Sequence, residues 1–126
     1  MIWNFGDIFD AVVDSVPSHG KALIHGKRAL SWQELDKRSL SLAHSFYTHG
    51  AKVGDRVGFY MRNRPEYLET LIACFRGRLT HVNVNYRYVP KEIKYILKNS
   101  GATVVVFANE FRQEIDVIRS ELPEVS

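Results

Sequence analysis

The sequence predicts an α/β fold, a partial and mostly parallel sheet with flanking helices. Three observations carry this. Strand-like runs alternate with helix-like runs of about a dozen residues between Arg56 and Leu122, the pattern of successive βαβ units. The two middle helix-like runs open on Pro65 and Pro90 and close on Gly77 and Gly101, residues that start and stop helices for steric reasons. Thr103–Phe107 is β-branched and apolar throughout, as expected of a strand buried on both faces.

The elements follow in chain order. Phe5, Ile8, Phe9, Val12, Val13 and Val16 recur at helical spacing until Pro17, which predicts an amphipathic helix. Ala22–Ile24 and Ala29–Ser31 flank His25-Gly26-Lys27 and predict a β-hairpin. Ser31 with Glu34 three residues on is a capping-box pair. The helix it opens places Leu35, Ser39, Leu42, Ala43 and Phe46 on one face and ends at Gly50.

Val53-Gly54-Asp55 is a turn into a strand at Arg56–Met61. A helix from Pro65 turns Leu68, Leu71, Ile72 and Phe75 inward and stops at Gly77. Thr80–Tyr86 is the next strand, and a helix from Pro90 buries Ile93, Ile96 and Leu97 before Gly101. After Thr103–Phe107, a last helix is marked by Phe111, Ile115, Ile118 and Leu122, with Pro123 behind it. Crossovers between parallel strands should be right-handed. Three parallel strands leave two open edges, and Leu122–Ser126 reads as the approach to another strand, so more sheet is expected from the chain beyond or from a partner.

With 126 residues, 45% of them hydrophobic and 25% charged, the chain suits one globular domain. A formal charge of +3 does not mark a nucleic-acid binder. No apolar run is long enough to span a bilayer. The first ten residues carry acids where a signal peptide needs bases. Cys74 is the single cysteine, so an intrachain disulfide is excluded and a reducing compartment, the cytoplasm, is the default. Peripheral membrane contact stays open.

No glycine-rich turn follows the first parallel strand, where the sequence is Met61-Arg-Asn-Arg-Pro65, against a dinucleotide fingerprint. Gly20-Lys21 and Gly26-Lys27 lack the rest of a P-loop. The five histidines, His19, His25, His44, His49 and His81, have no metal-ligand spacing, since His44 and His49 fall on different helix faces. Cys74, beside an apolar helical stripe, is expected to be buried and structural. No catalytic residue is assigned.

The arginines say more. Residues 56–91 hold seven basic groups and two acids. Arg76 and Arg78 sit at a helix C-terminus, where the dipole favours cations. Arg62, Arg64 and Arg87 instead follow the carboxyl ends of strands, the edge where open α/β sheets bind ligands. They are candidates for an anion or partner-domain contact, against the plainer reading of solvated loop charges. Asn83 and Asn85 alternate with Val82, Val84 and Tyr86 and are expected to bond neighbouring loops.

Four stretches resemble the AMP-forming acyl-CoA synthetases of the adenylate-forming, AMP-binding superfamily. They are Leu30-Ser-Trp-Gln-Glu-Leu-Asp36, continuing through Ser41-Leu-Ala43, then Gly50-Ala-Lys-Val-Gly-Asp-Arg-Val57, Asn63-Arg-Pro-Glu-Tyr-Leu68, and Val82-Asn-Val-Asn-Tyr-Arg-Tyr-Val-Pro-Lys-Glu-Ile93 with Tyr95–Leu97 and Ser100–Ala102 behind it. Their order and spacing match the family, and the last is most similar to fatty-acid and sterol side-chain synthetases. One departure is Arg76-Gly-Arg-Leu-Thr-His81, where the family usually has small residues and Arg78 enters a tight turn.

The resemblance implies that residues 1–126 are the N-terminal part of an AMP-binding domain, ending before its phosphate loop. It implies ATP, Mg²⁺ and CoA as cofactors of a complete enzyme that converts a fatty or other carboxylic acid to acyl-adenylate and then to acyl-CoA. The remainder of the synthetase, in cis or as a separate chain, is the implied partner, and residues 1–126 alone are expected to be inactive. Two other readings stand beside it, a stand-alone α/β interaction module that pairs a sheet edge with a partner, and an anion- or RNA-binding domain using the basic segment.

Overall fold

The computed structural model describes residues 3–126. Helix α1, Phe5–Ser15, is closed at its start by a reciprocal bond pair: Asp7 N–H donates to Asn4 and Asn4 N–H donates to Asp7. Strands β1, Lys21–His25, and β2, Arg28–Ser31, form the antiparallel hairpin. Helix α2, Trp32–Thr48, starts on the expected capping box of Ser31 and Glu34, which satisfies two otherwise orphaned amides.

Strand β3, Arg56–Tyr60, leads to α3, Pro65–Arg76. Strand β4, Thr80–Val84, leads to α4, Pro90–Ser100, which Gly101 ends in the left-handed region at φ 69°. Strand β5, Ala102–Phe107, is followed by a 3₁₀ turn, Asn109–Phe111, and by α5, Arg112–Arg119. The predicted β4 is two residues too long, because Asn85 already turns the chain.

The three strands are parallel in the order β4-β3-β5. Val57 and Phe59 pack with Val104 against α2 and α3, through Ala43, Phe46, Ala73 and Cys74. Tyr60 and Val84 pack on the other face against α4 and α5, through Ile93, Leu97, Ile115 and Ile118. Each buried Val, Leu, Ile or Phe among them contributes roughly 1.5–3 kcal/mol. Gly58 permits the close approach of α4, since a Cβ there would lie 2.8 Å from Leu97 Cδ2.

Two expectations are corrected. The strand buried throughout its last four residues is β3, at the centre of the sheet, whereas Thr103, Val105, Val106 and Phe107 of β5 are only half-buried because β5 is lateral. Helix α3 does not bury a single apolar stripe. It packs on α2 and α1 as well as on the sheet, so Glu69 and Thr70 are buried with Ile72, Ala73 and Cys74, while Leu68, Leu71 and Phe75 are half-buried.

The approach to a further strand is present. Val105 N–H donates to Ser126 O at 2.9 Å, and Ser126 N–H donates to Thr103 O at 2.8 Å. That pairing is the pattern of a parallel ladder on the lateral edge of β5. An apolar hollow lined by Leu97, Val105, Phe107, Ile115, Leu122 and Val125 adjoins it.

Candidate functional site

In the order β4-β3-β5 the chain steps to one side of β3 and then back across it. The crevice between the carboxyl ends of β3 and β5 is therefore a topological switch point, the place where open α/β sheets bind ligands. Ala108 N–H donates to Tyr60 O at 3.1 Å and holds those two ends together. Arg62 at that edge reaches toward the loops after both neighbouring strands. The loop after β3 brings Arg62, the loop after β4 brings Tyr86 and Arg87, and the turn after β5 brings Glu110.

Arg62 lies with its guanidinium carbon 4.7 Å from the centre of the Tyr86 ring, and Arg87 lies 5.5 Å from the same centre. Arg62 also faces Glu110 at 3.7 Å across the crevice. The loop after β4 is braced from within. Arg87 N–H donates to the Asn85 side chain, and Tyr88 N–H donates to Asn85 O, both at 2.9 Å. The Tyr60 hydroxyl donates to Tyr88 O at 3.3 Å, and Val89 N–H donates to the Glu92 carboxylate. Burial raises the Tyr60 phenol, and the nearby Glu114 charge raises it further. Glu114 Oε2 is itself buried without a hydrogen-bond partner.

The three candidate arginines separate. Arg64 is engaged by Glu66 at 3.0 Å, and Arg28 reaches the same carboxylate at 2.9 Å. Burial works to raise the Glu66 carboxyl, but its own backbone amide and the two guanidiniums outweigh that and hold it at about 2. Arg64 thus belongs to a tie between the hairpin and α3, leaving Arg62 and Arg87 at the crevice. Among the described residues neither asparagine side chain bonds a neighbouring loop: Asn85 accepts from Arg87 N–H within its own loop, and Asn83 is exposed on β4. Arg76 and Arg78 do more than meet a helix dipole, since both hold α1: Arg76 pairs with Asp10 and Asp36, and Arg78 pairs with Asp7.

Cys74 is fully buried, and burial pushes its thiol up to about 12, the property of an inert core sulfur. Among the described residues no three His, Cys, Asp or Glu side chains converge to hold a metal ion. Arg62 and Arg87 are the groups suited to phosphoryl or carboxylate oxygens. No helix of the described residues is long and apolar enough to cross a membrane.

The model of the AMP-binding enzyme family matches residues 9–126. The chain belongs to that family. Among AMP-binding relatives, the 3-oxocholest-4-en-26-oate–CoA ligase of Rhodococcus rhodochrous is 34% identical over 125 residues, covering 99% of this chain and 22% of that enzyme. A feruloyl-CoA synthase of Amycolatopsis sp. is 36% identical over 97 residues, 77% of this chain and 20% of that enzyme. The chain therefore spans about a fifth of the length of the curated relatives it matches.

Solved structures of the family share the fold. An anthranilate CoA ligase in complex with anthranoyl-AMP superposes with a TM-score of 0.90 at 22% identity, over 98% of this chain and 24% of that one. The N-terminal domain of FACL13 from Mycobacterium tuberculosis superposes at 0.89, also at 22% identity, over 99% of this chain and 32% of that one. The mixed α/β fold is that of the N-terminal domains of adenylate-forming enzymes.

Two members of the crevice were not singled out from sequence. Tyr86 had a signal, its place between Asn85 and Arg87 in a turn. Glu110 had none, because only the β3–β5 pairing brings it to Arg62.

Proposed function

We propose that this chain is part of an ATP-dependent acid–thiol ligase, which activates a fatty, sterol side-chain or related carboxylic acid as acyl-adenylate and transfers the acyl group to CoA. The observation that carries this is the 34% identity to a 3-oxocholest-4-en-26-oate–CoA ligase along 99% of the chain. ATP, Mg²⁺ and CoA are the cofactors of the complete enzyme in this reading, and the cytoplasm is its place, in keeping with a single, buried cysteine.

Residues 1–126 form the N-terminal part of the AMP-binding domain in this reading. They supply the parallel sheet and its carboxyl edge, with Arg62 and Arg87 as the contacts for an anion or for the partner domain. The phosphate loop and the acidic groups that handle ATP belong to the rest of the synthetase, in cis or as a separate chain. Residues 1–126 alone then release no pyrophosphate.

The test is a chimera in which this chain replaces the matching 125 residues of the Rhodococcus ligase. Pyrophosphate release with the sterol acid or a fatty acid is expected from the chimera and not from residues 1–126. A chimera that folds yet activates no acid overturns the reading. The second reading, a stand-alone interaction module, is favoured by the outer edge of β4, unpaired among the described residues, and it predicts a stable complex with a partner that has no adenylating activity.

A further inference from the structure

We propose that the outer edge of β4 and the exposed apolar flank of α1 form one docking surface, and that its occupant is an extended strand from the remainder of the synthetase. The source of that strand rests on the ligase reading. The surface itself does not.

The edge supplies the backbone half. Thr80 N–H donates to Asp55 O at 2.9 Å, on the β3 side. Alternation along a parallel ladder then turns the N–H and C=O groups of His81 and Asn83 outward, where no strand of the described residues meets them. Edge strands that stay free are blunted by lysine, proline or a bulge. Strand β4 reads Thr-His-Val-Asn-Val and pairs with β3 without a register shift, so it carries none of these.

The flank supplies the apolar half. Phe5, Ile8 and Val12 lie at helical spacing on one side of α1, and all three are exposed. A line of rings joins them to the edge. Phe5 lies 5.1 Å from Phe75, Phe75 lies 6.4 Å from His81, and His81 lies 5.7 Å from Phe59 in the core. The His81 and Asn83 side chains project from the same face of β4, and both residues are exposed.

One occupant meets both halves. A strand laid on β4 answers the outward amides and carbonyls, and its alternate side chains fall beside His81 and Asn83, next to Phe75 and Phe5. That is recognition by strand addition, with backbone bonds for affinity and alternate side chains for specificity. A helix or loop over the flank leaves the amides of His81 and Asn83 unanswered. The matching chemistry is an extended segment, free of proline, with apolar side chains toward α3.

The test compares the chimera described above with residues 1–126, reading hydrogen exchange at single amides. His81 and Asn83 should exchange about a hundredfold more slowly in the chimera. Asn83→Pro removes an outward N–H and no bond to β3. It should leave the melting temperature of residues 1–126 within about 2 °C and lower that of the chimera by about 5 °C. Ile8→Ser, on the flank, should show the same split. Equal exchange at His81 and Asn83 in a folded chimera overturns the inference, as does an Asn83→Pro chimera as stable as its parent. Residues 1–126 mixed with the separately expressed remainder of the Rhodococcus ligase give a second measurement, and a bound remainder that leaves these amides fast overturns it too. If residues 1–126 alone protect the amides and sediment as a dimer, the occupant is a second copy and the assignment fails. Pyrophosphate release is read separately. An active chimera with a fast β4 edge sinks this inference and keeps the ligase reading, whereas a protected edge in an inactive chimera does the reverse.

Discussion

Arg78 adopts φ 59°, the one non-glycine in the left-handed region among the described residues, where a Cβ costs roughly 1–2 kcal/mol. It sits in the turn that carries the family departure, and a bidentate bond to Asp7 at 3.1 and 3.2 Å offsets part of that strain. Arg78→Gly removes the strain along with the pair, and Arg78→Ala removes only the pair. Urea denaturation should therefore find the glycine variant more stable than the alanine variant by about 1 kcal/mol. Glu66 makes a pH prediction. Its carboxyl lies at about 2 in the fold, below the usual 4.5, so its stabilisation is present above pH 4.5 and is lost as pH falls from there toward 2. Thermal melts between pH 5 and 2 should show a shallower acid decline for Glu66→Gln, with a loss of about 1 kcal/mol at pH 7.

At the scale of elements, α3 is the hub, and its C-terminal end gathers the helices around it. The Arg76 side chain is only 13% exposed. It pairs with Asp10 of α1 at 3.1 Å and Asp36 of α2 at 2.9 Å, donates to Asp36 O and Ser39 Oγ, and lies 5.3 Å from the Phe9 ring centre. Arg76→Ala removes the guanidinium that ties α1 and α2 to α3, while both carboxylates stay solvated, and should cost about 1–2 kcal/mol in a urea titration. Helix α1 docks through its small and polar positions. A Cβ on Gly6 would fall 2.6 Å from Phe75 O, while Phe5 and Ile8 remain 65% and 51% exposed. Gly6→Ala should lower stability by about 2 kcal/mol, with near-ultraviolet circular dichroism reporting the loosened contact of the Phe5 and Phe75 rings, whose centres lie 5.1 Å apart.

On the scale of the whole molecule, stability is graded across the sheet. Strand β3 has a hydrogen-bonded neighbour on each side and helices over both faces, whereas the outer edge of β4 is unpaired among the described residues. Hydrogen exchange should show β3 amides as the slowest in the chain and outward-facing β4 amides as much faster. Much of this was legible beforehand, and for local reasons. Ser31 with Glu34, Pro65, Pro90 and Gly101 mark helix ends within a few residues of the atoms they satisfy. The crevice was legible only in part: Arg62 and Arg87 could be placed after strands, and the Arg64–Glu66 pair is local, but the second guanidinium on that carboxylate, from Arg28, depends on where the hairpin packs.

The amino-acid sequence by itself determined the element order, the parallel character of the sheet and the AMP-binding resemblance, because caps, turns and periodicity act over short spans of chain. Strand order was decided by the tertiary structure, and with it which strand is central, which faces of α3 are buried and which charges meet. Arg62, Tyr86 and Glu110 are 24 residues apart at each step and share one crevice only because β4 and β5 lie on opposite sides of β3. Contacts of that separation are set by how the helices cover two faces of one sheet, a property of the assembled core that no short stretch of sequence encodes.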